Sequence, residues 1–214
     1  RDCRVERLVH TSTSEVYGTA QYTPIDETHP LHPQSPYAAT KSAADQLAYS
    51  YFAAFDLPVV TVRPFNNYGP RQSARAVIPT IISQAVVGDE LRLGSLDPVR
   101  DFLFVQDTVA GFMAAALSPN VLGQTINLGT GSGVTIGEVV DRVAKIVGKN
   151  LHVVGDAQRV RPNKSEVFEL ICGAEKAKRL LNWIPETSLD AGLTATVEWI
   201  DAHRDLYRPK QYAV

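Results

Sequence analysis

Residues 11–41 read TSTSEVYGTAQYTPIDETHPLHPQSPYAATK, and the two ends of this stretch frame the fold. The polar run at its start follows an apolar pair, Leu8 and Val9, which reads as the end of a buried strand predicted over residues 5–12. At the other end, Ser35 supplies a helix cap and Pro36 the first helical position, so a helix is predicted from Pro36 to about Phe55. Its buried stripe is expected at Ala39, Ala43, Leu47, Tyr51 and Phe55. Residues 19–35 between them, rich in Pro, His, Thr and Asp, are expected as a surface loop. A second β-branched strand follows at 59–62 and stops at Arg63 and Pro64. Strand, long helix and strand predict a parallel βαβ unit with a right-handed crossover, whose ligands bind at the carboxyl ends of the strands.

Working outward, Asn66-Asn67-Tyr68-Gly69-Pro70 is expected as a turn on the same rim as Glu15. Helices are predicted at 77–87, 107–117, 136–147, 174–181 and 189–204, with Gly88 and Gly148 as stops and Asp107 as its own helix's cap. Short strands are predicted at 91–93, 102–104, 125–128 and 151–154. Residues 127–140, NLGTGSGVTIGEVV, follow a strand and open a helix as a dinucleotide fingerprint would. The spacing fails: after Gly129 and Gly131 the third glycine position is Val134, and no acidic residue closes the next strand. The segment is expected as a structural turn.

The chain has 214 residues, 44% hydrophobic and 21% charged, an ordinary globular composition with enough apolar residues for a core. A net charge of −2 with mixed signs carries no footprint for nucleic acid or an anionic membrane surface. No apolar run approaches the roughly 18 residues of a membrane span. Cys3 and Cys172 lie far apart and match no metal-ligand spacing, so buried thiols in a cytoplasmic setting are expected, with no metal. The chain opens on Arg1 and reaches its first strand almost at once, as part of a longer chain would.

The chemistry gathers on the opening stretch. Tyr37 and Lys41 are four residues apart on one helix face, so the Lys41 ammonium can favour the ionised phenol and make Tyr37 a base. An unperturbed phenol ionises near 10, so a further positive charge is needed at neutral pH, which a cofactor can supply. Thr13, Ser14 and Glu15 stand at the preceding strand end and Asn66 at the following one.

Together these motifs resemble the extended short-chain dehydrogenase/reductase superfamily in its nucleotide-sugar epimerase/dehydratase branch. The resemblance rests on Tyr37-Ala38-Ala39-Thr40-Lys41, on the Ser/Thr-rich segment 11–18, on residues 63–70 (RPFNNYGP), on residues 99–107 (VRDFLFVQD), on 127–140 and on Arg161-Pro162. It implies an α/β fold: the C-terminal part of a Rossmann-like parallel sheet plus a small α/β substrate-binding domain. Residues 1–70, rejoined by about 101–130, would form the first, and 71–100 with 131–214 the second. The family's N-terminal GxxGxxG third, with its adenosine-ribose acid, is absent from this sequence, which would begin just before the fifth Rossmann strand.

The resemblance implies an NAD enzyme acting on a nucleotide-sugar, a UDP-hexose above all, and a homodimer built on the 36–55 helix. Tyr37 would take the proton of the sugar 4-hydroxyl, Lys41 would hold the nicotinamide ribose, and Thr13 would fix the 4-oxygen. Pro64 and Asn66 fall at cofactor positions, and Asn66, Arg100 and Arg161 at substrate positions, the arginines suited to a diphosphate. A glutamate at position 15 resembles 4,6-dehydratases and UDP-glucuronate decarboxylases more than epimerases, since a carboxylate there can remove the carbon-5 proton once carbon 4 is a ketone. Ser14 stands where some dehydratases carry an aspartic acid, which leaves Glu15 as both base and acid. Residues 69–79 and 164–167 look most like UDP-N-acetylglucosamine 4,6-dehydratases. The other expectations are a decarboxylase, a 4-epimerase, or a non-catalytic fragment that binds sugar nucleotide.

Overall fold

A computed structural model of the chain describes residues 5–159 and 167–208. In chain order the elements are β1 (Leu8–Thr11), α1 (Pro36–Phe55), β2 (Val59–Pro64), β3 (Asn66–Tyr68), α2 (Val77–Val87), β4 (Glu90–Leu93), β5 (Val99–Arg100), β6 (Phe102–Phe104) and α3 (Val105–Leu117). There follow β7 (Thr125–Leu128), β8 (Val134–Thr135), α4 (Ile136–Val147), β9 (His152–Gly155), β10 (Glu169–Leu170), α5 (Glu175–Leu181) and α6 (Leu189–Ala202).

β1, β2 and β7 form a parallel three-stranded sheet with β2 at its centre. Its two faces differ in kind, because strand residues alternate sides. Val9, Val60, Val62, Ile126 and Leu128 make one face and pack in a common core with Ala115 of α3 and Ala177 of α5. The opposite face carries His10, Arg63 and Asn127, and α1 lies on it through Asp45. The remaining strands make β3–β6 and β4–β9 parallel pairs and a small sheet ordered β10-β5-β8. Around them α2, α4 and α6 share a second core that includes Ile81, Leu91, Phe104, Val139, Leu193 and Ile200.

The α1 boundaries agree with the sequence reading: Ser35 Oγ accepts from Ala38 N at 3.1 Å, and the helix ends at an Asp56 with φ of 53°. Its predicted buried stripe is wrong. Ala39, Ala43, Leu47, Tyr51 and Phe55 are all exposed, and the buried residues are Ala38 and Asp45. The reason is that α1 turns the other face inward: Asp45 hydrogen-bonds the sheet's polar face, and Ala38, Ala48 and Phe52 on the same side as Asp45 are buried or half-buried.

Four further corrections follow from tertiary pairing. The first strand spans Leu8–Thr11 only and is half exposed, since it pairs with β2 on one side among the described residues. Residues 66–68 are not a turn but β3, recruited by β6. The 19–35 loop is not all surface: Ile25 and His29 are buried, and Ile25 N donates to Ile171 O at 2.8 Å while Asn127 N donates to Glu27 Oε1 at 2.7 Å. Through Glu27 the loop satisfies the outward amide of Asn127 on β7. Asp107 caps no helix of its own; it lies inside the first turn of α3, and its carboxylate accepts from Glu186 N and Thr187 N at 3.2 and 3.0 Å. Cys172 is buried as expected, and Cys3 lies outside the described residues.

Candidate functional site

The carboxyl ends of β1 and β2 form a rim, and the first half of the site is the segment leaving β1. Thr13 caps a short 3-10 turn over Ser14–Tyr17, its Oγ1 accepting from Glu15 N at 3.3 Å. Ser14 is buried and Glu15 half-buried. The first turns of α1 reach the same place: Lys41 Nζ donates to Thr11 O at 3.0 Å, which leaves further ammonium protons for a ligand. Tyr37, one turn earlier, is half exposed. Pro64 is buried at the end of β2.

Beside this rim lies a cleft of about 460 Å³ against the α2, α4 and α6 core, lined also by Val167 and Leu170. Of the expected residues it takes in Glu15, Asn66 and Arg100, and it adds Gln72, Arg75 and Arg159. Thr13, Ser14, Tyr37, Lys41 and Pro64 lie outside its lining, on the rim. Arg100 is oriented along the strands, Nη1 donating to Val99 O at 3.0 Å. Arg161 lies outside the described residues. The lining combines the Glu15 carboxylate with the guanidinium groups of Arg75, Arg100 and Arg159, the last also paired with Asp156 at 3.1 Å, a set of groups suited to a polyhydroxylated ligand with an anionic tail.

The glycine segment after β7 takes no part as an anion cradle. The Asp101 carboxylate already fills its amides, accepting from Thr130 N, Gly131 N and Cys172 N at 2.9, 2.9 and 3.1 Å. Burial pushes the Asp101 carboxyl above its ordinary range, against the pull of these donors. Gly131, with φ of 76°, makes the turn, and a capping box between Thr135 and Glu138 starts α4.

Beneath the rim is a buried polar network that the sequence reading missed. Asp45 accepts from His10, Ser12 and Arg63; Arg63 Nη1 also donates to Tyr17 OH at 2.9 Å, and Tyr17 OH donates to Asn127 Oδ1 at 2.8 Å. Asp45, Arg63 and Asn127 are all buried, so each needs the partners it has. The signal in the sequence was the spacing of Asp45 from Lys41, one further turn along the same face of α1. Arg63 was read only as a strand stop.

A rim that joins a Thr-Ser-Glu turn to a Tyr/Lys helix, on a Rossmann-like sheet beside a cationic cleft, defines the nucleotide-sugar epimerase/dehydratase class of extended short-chain dehydrogenase/reductases. The sequence profile of the GDP-mannose 4,6-dehydratase family matches residues 1–196, and the chain belongs to that family. It is 33% identical over 199 residues to the low-salt glycan biosynthesis protein Agl12 of Haloferax volcanii, covering 92% of this chain and 63% of that one. To a dTDP-glucose 4,6-dehydratase of Haemophilus influenzae it is 33% identical over 207 residues, covering 90% and 60%. The structure of a UDP-glucuronic acid 4-epimerase from Bacillus cereus, in complex with UDP-glucuronic acid and NAD, superposes with a TM-score of 0.88 at 29% identity, covering 94% and 63%. The chain thus spans less than two thirds of the length of these proteins.

Proposed function

We propose that this chain carries the catalytic rim and substrate cleft of an NAD-dependent nucleotide-sugar 4,6-dehydratase. The observation that carries this reading is Glu15: it is the carboxylate of the 3-10 turn and it lines the cleft that Asn66 and Arg100 also line. Lys41 at the strand end, with donors to spare, and the half-exposed Tyr37 fit the nicotinamide ribose end of NAD. Pro64 and Asn66 complete that contact. These four residues would hold NAD, which would supply the hydride acceptor for carbon 4 of the sugar and the hydride donor for carbon 6. Tyr37 accepts the proton of the 4-hydroxyl, and Thr13 hydrogen-bonds the 4-oxygen. Glu15 removes the carbon-5 proton and then protonates the departing 6-hydroxyl, with Ser14 relaying between them, and when hydride returns to carbon 6 a proton from solvent, passed through Glu15, is delivered to carbon 5. Arg100, with Arg161, neutralises the diphosphate.

UDP-N-acetylglucosamine is the substrate put forward from residues 69–79. Incubated with NAD+, it loses one water to give a 4-keto-6-deoxy sugar, and Glu15→Gln abolishes the loss. Water retained by the wild-type protein sinks the reading. The likeness to a UDP-glucuronic acid 4-epimerase favours one alternative, an epimerase, which inverts carbon 4 with no change in mass. Carbon dioxide from UDP-glucuronate would identify a decarboxylase instead. Binding of UDP-sugar without binding of NAD+ would reduce the chain to a sugar-nucleotide module. The exposed Leu47, Tyr51 and Phe55 support a homodimer through α1, and the division at residues 70, 101–130 and 131–214 is retained as the domain plan.

A further inference from the structure

The Tyr37–Lys41 turn and the Thr13–Glu15 turn sit on separate elements, so any chemistry that uses both depends on how α1 is seated against β1. We propose that Asp45 is the positioning residue that sets this placement. Its carboxylate is 4% exposed and accepts four hydrogen bonds: from His10 Nε2 at 2.9 Å, Ser12 Oγ at 2.8 Å, Arg63 Nε at 3.0 Å and Arg63 Nη2 at 2.8 Å. The donors divide unevenly, His10 meeting Oδ1 while Ser12 and both Arg63 nitrogens converge on Oδ2. The His10 ring must present Nε2–H, because its partner only accepts.

The arrangement of the donors is what assigns a positioning role. His10 and Ser12 flank Thr11, and Thr11 O is the acceptor of the Lys41 ammonium. Lys41 and Asp45, one helical turn apart on one face of α1, therefore grip the same three residues of chain, 10–12, from which the Thr13 turn departs. Arg63 carries the tie onward to Tyr17, the last residue of that turn, and it stands three residues before Asn66. One carboxylate thus references α1, both ends of the Thr13–Tyr17 segment and the end of β2 to one another. Apolar packing on this face of α1 is limited to small Ala38 and Ala48 and, two turns beyond Asp45, to the Phe52 ring against Gly123, so Asp45 supplies the directional tie nearest the rim. The charge-assisted bonds are directional, and a directional tie fixes axial position where apolar packing tolerates sliding.

This inference rests on the dehydratase reading for its catalytic consequence but not for its geometry, and the test separates the two. Reductive methylation with 13C-formaldehyde is followed at Lys41, assigned through Lys41→Arg, in wild type, Asp45→Asn, Ser12→Ala and Val143→Ala. Ser12→Ala removes a single bond, which keeps the test open if Asp45→Asn folds poorly. Val143→Ala loosens the distant α4 core and controls for general destabilisation. The expected result is a severalfold faster reaction at Lys41 in the Asp45 and Ser12 variants and an unchanged rate in the Val143 variant. Equal rates in all four proteins, or an equal rise in the Val143 variant, overturn the proposal. With NAD+ and UDP-N-acetylglucosamine, the Ser12 and Asp45 variants should lose turnover, by roughly a hundredfold for a misplacement near 1 Å, at unchanged KM. A rise in KM at constant kcat contradicts positioning. Absence of turnover in wild type contradicts the dehydratase reading and leaves the Lys41 comparison to decide the placement of α1.

Discussion

Tyr17 is a fully buried phenol whose hydroxyl is held between Arg63 and Asn127. Burial outweighs the neighbouring guanidinium and pushes its pKa up to about 12. The unfolded phenol ionises near 10. Between these values the folded state keeps the proton that the unfolded state loses. Tyr17 therefore contributes stability that is fully present below pH 10 and is lost as the pH rises through about 12, on the order of 2–3 kcal/mol. Urea unfolding of Tyr17→Phe at about pH 9 and about pH 11.5 should show a shallower decline than wild type; parallel declines would contradict the assignment. Asp101 acts through its acceptors. Asn at this position turns an amide NH2 toward backbone amides, so Asp101→Asn should cost about 1–3 kcal/mol in chemical denaturation, with Cys172 becoming reactive to thiol reagents. Neither residue was legible from the sequence. Tyr17 stood in a motif dominated by its neighbours, and Asp101 is defined by partners 29 to 71 positions away.

The helices show which signals a sequence carries well. α2 and α4 were read to the residue, because apolar periodicity runs up to Gly88 and Gly148 and stops there. α1 was bounded by the Ser35-Pro36 step, and removing that cap with Ser35→Ala should cost about 1 kcal/mol, measured by thermal unfolding. The buried face of α1 was illegible for a physical reason: its centre is a carboxylate with four donors flanked by small alanines, and hydrophobic periodicity is blind to such a seat. Strands β5, β8 and β10, two residues each, exist only because neighbours pair with them, so no local pattern announces them. Contact between α6 and the β3–β6 pair depends on Gly192, where an added Cβ would stand 2.1 Å from Tyr68 Oη. Gly192→Ala should destabilise by about 1–3 kcal/mol through overpacking, and a neutral effect in the same unfolding assay would show that α6 can shift.

On the scale of the molecule, the central sheet is apolar on the side of α3 and α5 and polar on the side of α1. The polar side is where the rim residues are anchored, so the stability of that half and the geometry of the site share the same bonds. The outer face of α1 carries Leu47, Tyr51 and Phe55 in the open. If it forms the proposed dimer, Leu47→Glu should convert a dimer to a monomer in light scattering; a wild-type monomer would contradict that part of the account. Among the described residues no helix is long and apolar enough to cross a membrane. The motifs made the family and the rim readable in advance, because Glu15, Tyr37, Lys41 and Asn66 sit at strand ends and a helix start that punctuation marks. The cleft was not readable as a whole, since Gln72, Arg75 and Arg159 reach it from separate parts of the chain. The central claim, that this rim and cleft eliminate water from a nucleotide sugar, is tested most directly by mass spectrometry of UDP-N-acetylglucosamine incubated with the protein and NAD+. The account predicts a product lighter by one water, formed by wild type and not by Glu15→Gln; an unchanged mass with wild type, or equal loss with Glu15→Gln, would contradict it.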